Sequence, residues 1–177
     1  MARTNTRALR FAEAAFAVAR DSNQLDAWLD ALKQASAIFE NHAAALFLTS
    51  PVEPADKKRG VLGQLLPGVS PDVQRFLAIL AHRDRLDLVP EIAAVFERLL
   101  NEHRGIAVAQ VTTAVPIDER QKAVIASKLA RRLGKTVTLE TRVDASILGG
   151  VVAQIGDDVI DGSVRGRLER LRRRLTA

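Results

Sequence analysis

The chain has 177 residues, of which 47% are hydrophobic and 27% are charged, a balance that argues against disorder and favours one or two globular domains. It has no cysteine, which excludes disulfide frameworks and thiolate chemistry and suits a reducing cytosol. No apolar run approaches the ~20 residues that span a bilayer, and the N-terminus lacks the apolar core of a signal peptide. We therefore expect a soluble protein whose mature chain starts near Met1.

The first half of the chain is predicted to be helical. Residues 6–20 are rich in alanine and carry apolar side chains at helical spacing, and a second helix follows over residues 25–39. Asn41 is placed to cap a short third helix. Ser50-Pro51 ends that helix, because the residue before a proline leaves the helical region, and a fourth helix follows over residues 54–66.

Two further helices complete this half. Ser70-Pro71 combines a cap with a first-turn proline and opens the fifth helix. The sixth is predicted over residues 86–101, with Pro90 tolerated in its first turn. Short connections between short helices predict an antiparallel six-helix bundle. The break near Arg104 and Gly105 divides the chain into predicted domains 1–104 and 105–177.

Beyond Gly105 the apolar period changes from about 3.6 to 2. Strands are predicted over residues 107–115 and 136–144. The helix between them has clean ends, since Asp118 and Gln121 can form a capping box and Gly134 suits a left-handed C-terminal position. These elements begin a small α/β domain, so the fold class is mainly α, with the bundle followed by this domain.

The last thirty residues add a strand, an acidic turn and a basic helix. Val151, Ala153 and Ile155 alternate as a half-buried strand requires. Asp157 to Gly162 is predicted to be a turn, with Ser163 as helix cap. In the helix that follows, four apolar residues share one face, which we expect to pack, while arginines occupy the rest. The apolar four are Val164, Leu168, Leu171 and Leu175.

The net charge of +5 lies entirely in this last helix, which has six arginines and one glutamate between residues 165 and 174. The arginines are Arg165, Arg167, Arg170, Arg172, Arg173 and Arg174. Charge alone does not show which partner this helix binds, which could be a phosphate backbone, an anionic membrane surface or an acidic protein surface. It is equally compatible with a helix face that only meets water. All seven aromatic residues precede residue 97, so the helix lacks the stacking platforms that single-stranded nucleic-acid binding uses.

Catalytic and metal-binding patterns are absent from the sequence. His42, His82 and His103 fall in different predicted helices, and no cysteine completes a zinc site. The acidic turn lacks the ligand spacing of a calcium loop, and no phosphate-binding glycine motif occurs. The carboxylates of that turn are better explained by turn formation and helix capping. We therefore expect no enzyme activity, no cofactor and no metal.

The segment IGDDVIDGSVRGRL, preceded by Gly149 and Gly150, resembles the C-terminal signature of the δ subunit of bacterial ATP synthase, the family of the mitochondrial oligomycin sensitivity-conferring protein. Four upstream segments resemble the same family in the same order, so the resemblance spans nearly the whole chain. They are RFAEAAFAVA, FLTSPVEPADKKRGVL, FLAILAHRDRLDLVPEIAAVF and VTTAVPIDERQ. Phe11 stands where tyrosine is frequent in the family, and the cluster Arg172 to Arg174 is more basic than the pattern requires.

The resemblance implies a non-catalytic connector (stator) subunit of an F-type proton-translocating ATP synthase, which joins the catalytic head to the peripheral stalk and resists the torque of the rotor. The helical domain would hold N-terminal segments of α subunits, and the C-terminal domain would meet subunit b of the peripheral stalk. One copy per complex is implied, peripheral at the cytoplasmic face of the bacterial cell membrane, without membrane insertion and without nucleic acid. The basic helix keeps one alternative open, an RNA- or ribosome-associated adaptor.

The resemblance also implies which residues make the contacts. The residues carried over to the α-subunit surface are Phe11, Ala14, Ala15 and Val18 on the first helix, with Phe76, Ile79 and Leu80 on the fifth. These residues could instead form the core of the bundle, and we prefer that position for Phe16 and Leu77. The six arginines are the candidates for the stalk. A structural role is expected for the signature residues, which are Gly149, Gly150, Gly156, Asp161, Gly162 and Ser163.

Overall fold

A computed structural model describes residues 5–156 and 158–176, apart from the side chain of residue 176. Eight α-helices and one four-stranded sheet lie in this part of the chain, so the mainly helical fold class is confirmed. The chain divides into two compact units between Leu100 and Asn101.

The first unit consists of six α-helices. They are α1 (Thr6–Asp21), α2 (Leu25–Ile38), α3 (His42–Thr49), α4 (Ala55–Leu65), α5 (Pro71–His82) and α6 (Val89–His103). A 3-10 turn, Leu86–Leu88, precedes α6, so this helix begins three residues later than expected, with Pro90 in its first turn. The predicted caps form, since the Asn41 side chain accepts from the N–H groups of Ala43 and Ala44, and Ser70 accepts from Val73.

Aromatic side chains from three helices meet in the core of the first unit. Trp28 of α2 stacks on Phe96 of α6 with ring centroids 6.4 Å apart, and it lies 5.7 Å from Phe76 of α5. Phe16 of α1 meets Phe96 edge to face at 5.6 Å. Trp28 and Phe96 are fully buried, which makes this cluster the centre of the bundle.

A charged side chain is buried in the bundle. Lys58 of α4 is only 1% exposed, and its Nζ donates to Oδ1 of Asp84 at 2.8 Å. Asp84 lies in the turn after α5 with a positive φ of 48°. The hydrogen bond and charge of Lys58 hold the pKa of the Asp84 carboxyl below its usual range. The pair therefore ties α4 to the end of α5.

The second unit is a mixed sheet with two helices. Its elements are β1 (Ile106–Thr113), α7 (Glu119–Leu133), β2 (Thr136–Val143), β3 (Val151–Ile155), β4 (Asp158–Asp161) and α8 (Val164–Thr176). The strand order is β2-β1-β3-β4, with β1 and β2 parallel and the other pairs antiparallel. A helix crossover such as α7 is what a parallel pair requires.

A small core lies between the sheet and α7. Ala109, Val111 and Ala153 of the sheet are buried with Leu129 of α7. Both ends of α7 are as predicted, because Asp118 and Gln121 form a reciprocal capping box and Gly134 adopts a φ of 65°.

Two expectations for the C-terminal segment are wrong. The predicted acidic turn contains a strand, because residues 158–161 form β4 and pair with the outer edge of β3. The apolar face of α8 does not pack, because Val164, Leu168, Leu171 and Leu175 are 42%, 53%, 53% and 79% exposed. Gly149 and Gly150 lie just before β3.

Candidate partner surfaces

The candidate residues for α-subunit contact divide into exposed and buried sets. Val18 of α1 and Ile79 of α5 are 48% and 51% exposed, Ala14 is exposed and Phe11 is half-buried. Ala15, Phe76 and Leu80 are buried in the bundle core. The side chains of these three residues pack inside the bundle and leave almost no exposed surface. Phe16 and Leu77 pack with the core, as preferred.

Ile79 lines a groove between α4 and α5. The groove has a volume of 470 Å³, and its other lining residues include Arg59, Ala78 and Arg83. A second groove of 340 Å³ shares Arg59 and Ala78 and extends to Gly63. The lining also includes Asp56, which pairs with Arg59 at 3.4 Å, so Ile79 offers an apolar contact in a surrounding of mixed charge. The sequence could not reveal this groove, because it depends on how α4 lies against α5.

The arginines of α8 are all exposed, and Arg165 and Arg170 are among those that have partners within the unit. Nε of Arg165 lies 3.3 Å from Glu169, and Arg170 lies 3.8 Å from Oδ2 of Asp161. Such exposed pairs contribute little to stability, so both arginines can exchange these partners for others.

The glycine and aspartate signature builds the junction between β3, β4 and α8. The Gly162 N–H donates to the Val151 carbonyl at 2.9 Å, and the Val164 N–H donates to the Gly149 carbonyl at 3.0 Å. Gly150 has a φ of 79°, and a Cβ there would lie 2.5 Å from the carbonyl oxygen of Gly162. Only glycine fits such a close backbone approach.

Asp161 and Ser163 start α8 from this junction. The Ser163 N–H donates to Oδ1 of Asp161 at 2.8 Å, and the buried Ser163 hydroxyl accepts from the Gly166 N–H at 2.9 Å. The hydrogen bonds from Ser163, with a smaller effect of Arg170, lower the pKa of the Asp161 carboxyl. A Cβ at Gly166 would meet this carboxylate, with Cγ only 2.8 Å away. Through these contacts Gly149, Gly150, Asp161, Gly162 and Ser163 build the junction.

Within residues 5–156 and 158–176, no three His, Asp or Glu side chains are grouped in a way that could hold a metal ion. The same residues include no helix with the length and apolar character needed to cross a membrane. The features that stand out in this part of the chain are helical surfaces with exposed apolar and basic side chains.

Such a molecule is of the adaptor class, with two compact units that each offer surface for a partner. The family model described as ATP synthase delta (OSCP) subunit matches residues 8–175. The chain belongs to this family. It is therefore a structural subunit of an ATP synthase and has the stator connector role.

Individual relatives agree with this assignment over nearly the whole chain. ATP synthase subunit delta of Chromobacterium violaceum is 38% identical over 172 residues, which cover 97% of both chains. That of Thioalkalivibrio sulfidiphilus is 40% identical with the same coverage. Among solved structures, a chain of the Toxoplasma gondii mitochondrial ATP synthase hexamer aligns with a TM-score of 0.72 and 27% identity, covering 96% of this chain and 97% of that one. These matches favour the connector over the RNA-associated alternative.

Proposed function

We propose that this subunit joins the catalytic head of the synthase to its peripheral stalk through a different unit at each end. Residues 1–104 bind N-terminal segments of α subunits, and residues 105–177 bind subunit b. The subunit has no catalytic site or cofactor of its own, and it acts as one copy, peripheral at the cytoplasmic face of the bacterial cell membrane. The observation that carries the proposal is the family match over residues 8–175.

The head surface is proposed to be centred on Ala14 and Val18 of α1 and Ile79 of α5. Exposed small and apolar side chains on a helix allow a visiting amphipathic helix to approach closely. Phe11 is half-buried and can serve as an anchor at the edge of this surface. The buried residues Ala15, Phe76 and Leu80 support the surface from inside.

The head contact is tested by calorimetric titration of the full chain with a synthetic peptide of the α-subunit N-terminus from the same organism. Saturable binding is expected, and Ala14→Asp should weaken it at least tenfold, because it places a charge in an apolar contact. Ala94→Asp is the matched control, since Ala94 is an exposed alanine within α6. Equal affinities of the two variants would overturn the proposed surface.

Tryptophan fluorescence provides a fold control for this titration. Trp28 is fully buried between Phe76 and Phe96, so its emission reports the integrity of the bundle core and not direct contact with the peptide. If a variant loses peptide binding while its Trp28 emission is unchanged, the substitution has altered the contact surface and left the bundle core intact.

The stalk contact is proposed to use the arginines of α8, which would meet an acidic stretch of subunit b. An exposed row of like charges favours a partner of opposite charge and accelerates encounter. The affinity for a peptide of the C-terminal end of subunit b should therefore fall as salt rises from 0.05 to ~0.5 M. Affinity that does not change with salt would exclude a contribution of the arginines.

A further inference from the structure

One edge of the sheet in the second unit is formed by a long strand. Within the described part of the chain, the order β2-β1-β3-β4 leaves the outer side of β2 without a neighbouring strand. β2 has eight residues, against four in β4 at the opposite edge. An open edge presents backbone N–H and C=O groups that can pair with another strand. β2 is therefore a candidate for strand addition.

The bonds between β2 and β1 show which backbone groups of β2 point to the open edge. The Thr136 N–H donates to the Gly105 carbonyl at 3.1 Å, and the Asp144 N–H donates to the Thr113 carbonyl at 2.8 Å. Successive residues of a strand direct their backbone groups to opposite sides, so the even-numbered residues of β2 bond to β1. The odd-numbered residues therefore direct theirs to the open edge. They are Val137, Leu139, Thr141 and Val143.

The side chains of β2 differ between the two faces of the sheet. Leu139 packs with the small core beside α7, and Val143 lies on the same face but is 51% exposed. Glu140 and Arg142 lie on the other face and are exposed. Opposite charges two residues apart on an open edge can meet the same pair on a second strand.

The space beside the start of β2 is open. A cleft of 430 Å³ lies between the last turns of α7 and this strand, and its lining includes Ala126, Ser127 and Ala130. Because these side chains are small, α7 leaves room for a strand that approaches the edge.

A second copy of β2 fits this edge in an antiparallel register. Groups that point outward bond to groups that point outward, so the two-fold axis passes at a residue and not between two residues. With the axis at Thr141, Glu140 of each copy lies opposite Arg142 of the other. Leu139 then lies opposite Val143, and Cβ atoms of such pairs are about 4.5–5.5 Å apart. The two strands exchange about six backbone hydrogen bonds.

The charges disfavour the neighbouring registers. An axis at Glu140 places this carboxylate opposite its own copy, and an axis at Arg142 does the same with two guanidinium groups. Like charges directly opposite each other are destabilising. An axis at Leu139 pairs no charges at all. Charged side chains on an edge usually keep strands apart, but those of β2 are self-complementary and select the register centred on Thr141.

We propose that the free subunit forms a symmetric dimer in which two β2 strands pair antiparallel about Thr141, with Glu140 of each copy beside Arg142 of the other. Because one copy is proposed for each synthase, the dimer is a state of the unassembled chain. The contact consists mainly of one strand from each copy, so it is small. A dissociation constant of about 10–100 µM is therefore expected.

Sedimentation equilibrium of the full chain up to ~500 µM tests the dimer, since this range exceeds the expected dissociation constant. Glu140→Arg and Arg142→Glu should each weaken association about tenfold or more, because the two-fold axis places like charges opposite each other twice. The two substitutions change the net charge in opposite directions, so general repulsion between copies cannot weaken both. The variant with both substitutions restores opposite charges and should associate within about threefold of the parent chain.

Recovery in the double variant also shows that the single substitutions do not act by unfolding the sheet. Glu40→Arg is the matched control, because Glu40 is exposed, lies outside β2 and gives the same change in net charge as Glu140→Arg. It should associate like the parent chain. Thr141→Pro removes an N–H that points to the open edge and leaves the bonds to β1 in place, so it should abolish the dimer without changing the far-UV circular dichroism.

Several results would overturn the proposal. They are a chain that stays monomeric up to ~500 µM, charge variants that all associate like the parent chain, and a Thr141→Pro dimer of unchanged affinity. Oligomers larger than a dimer would also exclude it, because a two-fold contact closes after two copies. Leu168→Ser tests the exposed apolar face of α8 as the other source of self-association. If Leu168→Ser dissociates the dimer and Glu140→Arg does not, the contact belongs to α8.

Discussion

Gly150→Ala tests whether the signature junction holds the second unit together. The substitution forces alanine into a left-handed conformation, which costs about 1–2 kcal/mol. It also places a methyl 2.5 Å from the Gly162 carbonyl oxygen and 3.1 Å from the Ser163 Cα, both backbone atoms. Relieving such overpacking costs about 1–3 kcal/mol more. A domain of this size has a total stability of roughly 4–12 kcal/mol, so the loss is a large fraction of it.

Gly156→Ala is the matched control for the close approach. Gly156 also has a positive φ, of 57°, but a Cβ there meets no atom within 4 Å. The free energy of unfolding of Gly156→Ala should therefore fall only by the cost of the left-handed conformation, about 1–2 kcal/mol. Urea unfolding followed by far-UV circular dichroism compares the two variants, while Trp28 emission follows the bundle alone. Equal losses in Gly150→Ala and Gly156→Ala would refute the close approach as the reason for glycine at position 150.

Three further predictions concern other elements. Lys58→Met should leave the unfolding free energy nearly unchanged, because it removes the buried charge and leaves Asp84 in contact with water, whereas Asp84→Asn should lower it, because it leaves a buried ammonium without its carboxylate. Since the folded pKa of Asp84 is lowered, the pair's stabilisation is complete above the unfolded value of about 3.9 and is lost as pH falls through the folded pKa. A stability–pH profile should therefore be flatter in acid for Lys58→Met, and an unchanged slope would contradict this. Ser163→Ala should cost about 1 kcal/mol through loss of the α8 cap, as measured by urea unfolding, and an unchanged midpoint would argue against the cap. Gly63→Ala should raise the thermal midpoint, because this exposed helical glycine has open space around it and alanine favours the helix by about 0.5–1 kcal/mol; a lowered midpoint would contradict the open geometry.

Elements with local end signals could be predicted from the sequence. The caps at Asn41 and Ser70, the capping box of Asp118 and Gln121 and the left-handed Gly134 each depend on a few neighbouring residues. Local chemistry determines such ends, so sequence is sufficient for them.

Features that depend on distant residues could not be predicted. β4 is a short acidic segment that becomes a strand because β3 offers a free edge. The burial of Lys58 requires Asp84, which lies 26 residues further along the chain. Likewise, helical spacing shows which α8 side chains share a face, but the packing of other elements decides whether that face is covered.

The candidate contact residues show the same limit. Alanine and phenylalanine on α1 and α5 suit both a shallow surface and a tight core, because close helix packing and partner binding select the same small residues. Ala14 lies outside and Ala15 inside, although they are neighbours in the sequence.

The covalent connection between the two units has a mechanical consequence. The division falls within α6, between Leu100 and Asn101, so a helix and not a loop carries the chain across. At its end the Gly105 N–H donates to the Glu102 carbonyl and the Gly105 carbonyl accepts from the Thr136 N–H, both at 3.1 Å. A helix is much stiffer than an extended linker. Under a twisting load a helical connection therefore yields less than an extended linker of the same number of residues.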